Sequence, residues 1–397
     1  MVIVHKKKAN GGGQLMYRNL IAIGLSALVT ITTGASAADL KIGVAEALSG
    51  GAGQYGVAIR NGFQLAADEI NAGGGVNGNK LVLQVEDEQG KKDEAINVFK
   101  KLIFQDQVLM LFGPTLSNSA QAADPIAQAS KTVVFGTSNT ADGITSIGDF
   151  VFRNSVTEAD VLPVTIKIAA KLMAIKKVAV LYGNDDVFTK SGYDNFKKAL
   201  EYLKIPVTTT ETFGKGDVDF KAQLTKIKAS NPDALVLSAL IAEGGPIMVQ
   251  ARQLGLDIPI IGGNGMNSVK IFDLAKGSSD GLWVGSPWSI ENKTEANTRF
   301  IAAYKARYSV SPDQFAAQAY DAMYIAAAAI NEVKLSGNLA ADRLAVRDAL
   351  PKVTHEGATG RFAFRRASDK NGRPAGYDAA QDPIVSVTNA GQYVIEK

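Results

Sequence analysis

The sequence predicts an α/β protein made of two doubly wound parallel-sheet lobes joined by three short crossings. Three observations carry this. From Leu40 onward, short apolar runs alternate with amphipathic stretches, and the alternation occurs as two sets. Strict strand–helix alternation favours parallel pairing, because each helix returns the chain to the same end of the sheet. The segments that follow the apolar runs are small, polar and often glycine-rich. No long Pro/Ser-rich linker divides the chain, although 397 residues is too many for one ordinary core.

The first set opens with a strand over Leu40–Ala45, then a Gly/Ser loop from Ser49 to Gly56. Ile59, Phe63, Ala66, Ala67 and Ile70 form a helical stripe within Val57–Asn71, which the glycines Gly73 to Gly75 terminate. Leu81–Val85 alternates as a strand. Lys91–Gln105 gathers Ala95, Val98, Phe99, Leu102 and Ile103 on one helical face. Val108–Phe112 is continuously apolar, the pattern of a strand buried on both faces. A helix from about Ser117 to Ser130 and a strand over Thr132–Phe135 complete the set.

The second set begins near Lys177. Strands are expected at Val178–Leu181, Val207–Phe213, Ala234–Leu237, Ile258–Ile261 and Leu282–Val284, with helices at Thr189–Leu203, Val218–Ala229 and Glu243–Leu254. The C-terminal part departs from the alternation. It reads as helices over Asn292–Arg307, Pro312–Val333 and Leu339–Leu350, then strands over Arg361–Phe364, Ile384–Val387 and Tyr393–Ile395. Crossings near Arg153–Val156, Gly285–Ile290 and His355–Gly360 put 38–155 plus about 288–355 in the first lobe, and 156–287 plus about 356–397 in the second. Several short crossings make a hinge.

Ahead of these sets, Lys6, Lys7, Lys8 and Arg18 precede an apolar run from Leu20 to Ile31 and an Ala35-Ser36-Ala37 site. A basic region, a short apolar region and small residues at a cleavage point predict a signal peptide over 1–37, cleaved near Ala37. The whole chain carries 42 basic and 39 acidic residues, a net charge of +3. Without the four basic residues of that segment, 38 basic residues face 39 acidic ones, a net of −1. The basic excess therefore belongs to the leader, and a nucleic-acid partner is not expected. With no cysteine and two histidines, His5 and His355, there is no thiolate metal site, no cysteine nucleophile and little with which to build a catalytic triad. No metal, cofactor or enzymatic activity is expected.

In open α/β sheets, ligands sit outside the carboxyl ends of the strands. One such end carries Gln54-Tyr55-Gly56, another Gly113-Pro114-Thr115-Leu116-Ser117-Asn118-Ser119, and the next Gly136-Thr137-Ser138-Asn139-Thr140. In the second set, Ser238, with Glu243 at the start of the next helix, and Gly262-Gly263-Asn264-Gly265 occupy equivalent places. A helix N-terminus offers free backbone N–H groups to a carboxylate. Ser117 at a helix start, as cap or hydroxyl donor, and Thr140 on the neighbouring strand end together point to such a site. The Glu86-Asp87-Glu88 run reads as a solvated strand end rather than metal ligands. Trp288, beside a crossing, either stacks on a ligand or packs in the core.

The runs IGVAEALSGGAGQYGVAIRNGFQLAADEINAGGGVNGNKL, GPTLSNSA, SNTADGIT, QARQLGL and GGNGMNS resemble the branched-chain amino acid binding proteins. These are periplasmic receptors of ATP-driven (ABC) importers with the type I two-lobed fold. The resemblance implies a monomer that clamps a small-molecule ligand between its lobes by hinge closure and delivers it to the importer's membrane permease subunits. It places the carboxylate-binding serine at Ser117 with Asn118 beside it, its threonine partner at Thr140, and an ammonium-binding carbonyl at Ser138. It places the first-loop tyrosine at Tyr55 and an aromatic contact near Phe188. The family's acidic ammonium partner falls on Asn264, which is neutral, and its disulfide cysteine on Leu116. A neutral residue there favours a weaker amino acid site, or a ligand without an ammonium such as an aromatic or aliphatic carboxylate or an amide, with Glu243 as a substitute acid from a nearby strand end.

Overall fold

The computed structural model describes residues 39–396, so the predicted leader lies outside the described residues. Strands β1 (Asp39–Glu46), β2 (Lys80–Asp87), β3 (Met110–Phe112), β4 (Val134–Gly136) and β5 (Val151–Arg153) run parallel in the order β2-β1-β3-β4-β5. Helices α1 (Gly53–Ala72), α2 (Lys92–Lys100) and α3 (Ser117–Ala129) connect them. The inner strands are short and wholly buried, as expected where helices cover both faces of a parallel sheet. Phe63, Phe112, Phe135 and Phe364 stack in sequence at ring separations of 4.4–5.7 Å along this core.

The chain then enters the second lobe through α4 (Glu158–Met173). Here β6 (Val178–Gly183), α5 (Val187–Leu203), β7 (Val207–Phe213), α6 (Lys221–Ala229), β8 (Ala234–Ser238), α7 (Ile241–Gln253), β9 (Ile260–Gly262), α8 (Lys270–Ala275) and β10 (Leu282–Ser286) follow. Their strand order, β7-β6-β8-β9-β10, repeats the first lobe's. Helix α4 was not expected from the sequence. Pro163 sits inside it and breaks the helical pattern, while Thr157 caps it by accepting the Asp160 N–H.

Helices α9 (Glu295–Tyr308), α10 (Gln314–Asn331) and α11 (Leu339–Ala349) come next, and α10 packs along α1 in the first lobe. The end of the chain corrects one expectation. β11 (His355–Gly357), β12 (Gly360–Ser368) and β13 (Pro374–Ala380) extend the first lobe's sheet to eight strands, so the segment from about 356 does not all join the second lobe. Only β14 (Ile384–Asn389) and β15 (Gln392–Glu396) pair there, against β10. The last crossing is thus at 381–383, not at His355–Gly360. β13 is poor in strand-forming residues, and its place is fixed by contact. A Cβ at Gly376 would lie 2.1 Å from the Val151 carbonyl oxygen, so only glycine lets the two segments approach.

Candidate functional site

Both sheets reverse their strand order between the first strand and the third (β1/β3 and β6/β8). These are the switch points where α/β sheets open a crevice. The two crevices face each other and enclose a small cavity between the lobes. Tyr55, Thr115, Leu116, Ser117 and Ser138 line it from the first lobe, with Phe315 of α10. Phe188, Leu240, Asn264 and Gly265 line it from the second.

The first-lobe wall is polar and tied down. Ser117 is the first residue of α3, and the position before it, Leu116, has no side chain able to cap the helix. The N–H groups of the first turn therefore end at the cavity without a side-chain cap. This differs from the cap role open to Ser117 in the sequence, and it leaves the helix end to a ligand. The Ser117 hydroxyl accepts the Ala141 N–H at 3.3 Å, the Ser138 hydroxyl donates to the Thr115 carbonyl at 2.8 Å, and Asn139 donates to the Pro114 carbonyl at 2.9 Å. These bonds staple the loop after β3 to the loop after β4. Two buried carboxyls sit beneath them. Glu46 accepts the Thr115 hydroxyl and Glu88 accepts the Ser119 hydroxyl. Burial pushes both upward, Glu88 to about 7.

The second-lobe wall is largely apolar. Phe188 enters from the start of α5, and Leu240 precedes α7. Phe315 faces them from the start of α10, with its ring edge-on to Tyr55 at 4.7 Å. Tyr55 crosses the cleft. Its hydroxyl donates to the Gly265 carbonyl at 2.7 Å and accepts the Ile241 N–H at 2.8 Å. These bonds define a closed conformation of the lobes, and burial pushes the Tyr55 hydroxyl well above its ordinary range.

One carboxylate stands directly behind this wall. Glu158, at the first turn of α4, is 1% exposed and accepts the Thr140 hydroxyl at 3.1 Å. Asn264, on the wall itself, donates to the Val156 carbonyl at 3.1 Å and stands beside the same carboxyl, whose proton affinity it lowers. Gly263 leaves room for it, since a Cβ there would meet Glu158 Oε2 at 2.7 Å. Burial raises the Glu158 carboxyl to about 7, against the hydrogen bonds from Thr140 and Asn264 that lower it. The sequence reading missed Glu158, although it lies beside the crossing expected near Arg153–Val156.

Tyr55, Ser117, Ser138, Phe188 and Asn264 thus share one cavity. Thr140 and Asn118 are not on its wall. Thr140 is turned to Glu158, while Asn118 donates to Asp186 and accepts the Val187 N–H across the cleft. Trp288 is elsewhere: its indole N–H donates to Asn297 at 2.7 Å and its ring packs against Phe300 in a buried cluster, so packing rather than stacking on a ligand accounts for it. Glu243 accepts the Gly216 N–H and is likewise not at the cavity. Phe315 was read only as part of a helix, though the capping Asp313 just before it was the available signal. Among the described residues no group of three or more His, Asp or Glu side chains is placed to hold a metal.

A family model described as periplasmic binding protein matches residues 39–377. The chain belongs to this family. Among relatives of this periplasmic binding protein, the leucine-, isoleucine-, valine-, threonine- and alanine-binding protein of Pseudomonas aeruginosa is 29% identical over 359 residues, covering 90% of this chain and 94% of that one. The solved substrate-binding protein LivJ of the branched-chain amino acid transporter of Streptococcus pneumoniae, in complex with isoleucine, is 30% identical. It covers 90% of this chain and 100% of its own, with a TM-score of 0.80. A benzoate-bound solute-binding protein from R. palustris shares the fold at 22% identity, over 90% of this chain and 95% of that one, with a TM-score of 0.79. The family expected from the strand-end motifs is the one found.

Proposed function

We propose that this periplasmic binding protein is the receptor of an ABC importer and that it clamps a small apolar α-amino acid between its lobes. The uncapped start of α3 with Ser117 takes the ligand carboxylate. The Ser138 carbonyl and Glu158 take the ammonium, Glu158 acting past Asn264 from the crossing. Phe188, Leu240 and Phe315 enclose the side chain. The observation that carries this reading is a small cavity lined by the uncapped start of a helix, with a buried carboxylate standing behind its wall residue Asn264. A zwitterion matches that charge arrangement, and a plain carboxylate does not. Ligand contacts to both lobes favour the closed state over the open one. The family is one of solute-binding proteins, which supports binding and release as the chemistry of this cavity. The receptor works as a monomer in the periplasm and hands its ligand to the permease subunits.

A second reading rests on the three rings of Tyr55, Phe188 and Phe315 and the neutral Asn264, which suit an aromatic carboxylate. A thermal-shift screen over amino acids, aromatic acids, short fatty acids and amides separates the two. Stabilisation by leucine, isoleucine or valine is the expected result, and stabilisation only by benzoate-type acids would replace the amino acid with the aromatic acid.

A further inference from the structure

The segments Asp186-Val187-Phe188 and Asp313-Gln314-Phe315 share a pattern, and the structure uses them in the same way on opposite lobes. Each aspartate caps the helix that begins with its segment. In each, one carboxylate oxygen does the capping. Asp186 Oδ1 accepts the Phe188 and Thr189 N–H groups at 2.9 and 3.1 Å, and Asp313 Oδ1 accepts the Phe315 and Ala316 N–H groups, both at 3.1 Å. The other oxygen reaches across the cleft. Asp186 Oδ2, on the second lobe, accepts from Asn118 on the first, and Asp313 Oδ2, on the first lobe, accepts the Ser268 hydroxyl of the second at 2.8 Å. Both aspartates are buried in this closed form. The residue two places after each is a phenylalanine of the cavity wall.

We propose that Asp186 and Asp313 are reciprocal closing latches, positioning residues that join the capping of each helix to a bond between the lobes. Closure then seats both aromatic walls of the cavity together, because the carboxylate that bridges the lobes is the one that holds the backbone of Phe188 or Phe315. The arrangement costs little in the open form. There the second oxygen is satisfied by water, while the capping oxygen keeps its two N–H donors. On closure it gains a hydrogen bond to an ionised group shielded from solvent, the stronger kind. This inference rests on the proposed hinge closure but not on the identity of the ligand.

The cysteine-free chain allows a test that needs no ligand. Asp142 and Ser191 also meet across the cleft, where the Asp142 N–H donates to the Ser191 hydroxyl at 2.9 Å. In an Asp142→Cys/Ser191→Cys parent, the rate of disulfide trapping under oxidant reports the closed population, however small. Adding Ser268→Ala removes one cross-cleft donor, and Asn118→Ala removes both the donor to Asp186 and the acceptor of the Val187 N–H; each leaves both caps intact. Ser268→Ala is expected to slow trapping about ten-fold, the loss of one charge-assisted bond, and Asn118→Ala by more, since it loses two bonds, with the melting temperature of the reduced, ligand-free chain unchanged. Asp313→Asn, whose side chain caps nearly as well as aspartate, should slow trapping while keeping that melting temperature. Trapping equally fast in every variant, a parent pair that never crosslinks, or slowing that appears only with lowered melting would overturn the proposal. Failure of leucine to bind would overturn the amino acid reading and leave this result standing.

Discussion

The two walls of the cavity are built by different means. At the wall proposed for the ligand carboxylate, the first lobe offers backbone: an uncapped helix start and two loops stapled by the hydrogen bonds of Ser117, Ser138 and Asn139. On the second-lobe wall, the position where the family resemblance implies an acid is the neutral Asn264, and the charge proposed for the ammonium stands behind it, on Glu158 in the crossing between lobes. A binding group made of backbone is fixed by the fold and survives changes of side chain. A binding group made of one buried carboxylate can move to a neighbouring element, provided that space is left for it, as Gly263 does.

Breaking the first wall should have the largest effect. Ser117→Ala removes a hydroxyl facing a ligand carboxylate, worth about 1.5–3 kcal/mol, so calorimetry should show affinity lowered about ten- to a hundred-fold. The melting temperature should stay put, because the hydroxyl's internal partner is a single long contact with Ala141. Unchanged affinity would move the carboxylate away from α3. Trp288→Phe sharpens the comparison from the other side, with no expected effect on affinity. It removes the indole N–H bond to the fully buried Asn297 and should destabilise the chain by about 1–3 kcal/mol, the cost of a buried acceptor left unpaired. Weaker binding without lost stability would return Trp288 to the ligand.

How much of this was legible follows the same division. Tyr55, in the first turn of α1, was reached through the family resemblance, whereas Ser117 and Ser138 could be read because they follow strand ends, where alternation fixes position and glycines mark loops. The parallel halves of both sheets were legible for the same reason. Glu158 was not, because Pro163 hid the helix that presents it. β13 was not, because Ala375, Gly376 and Ala379 have little strand propensity and are held by tertiary contact. Trp288 was ambiguous because a buried aromatic and a ligand-stacking one have the same sequence signature, and only its partners Asn297 and Phe300 decide between them.

The central claim is that Glu158 replaces the missing acid at Asn264, and the pH dependence of leucine binding tests it most directly. In the ligand-free closed site the Glu158 carboxyl is raised to about 7. A facing ammonium would lower it, so binding releases a proton below that value. Affinity should therefore rise with pH from about 5 to about 7 and then level off. In the ligand-free chain the sign is opposite. A carboxyl raised by folding contributes stability that is full at low pH and lost as pH rises through about 7. Glu158→Gln should thus bind leucine more weakly with no pH dependence over this window, yet melt higher than the parent at about pH 8 when ligand-free. Leucine affinity that is flat or falls with rising pH in the parent, or that is unaffected by Glu158→Gln, would contradict the claim.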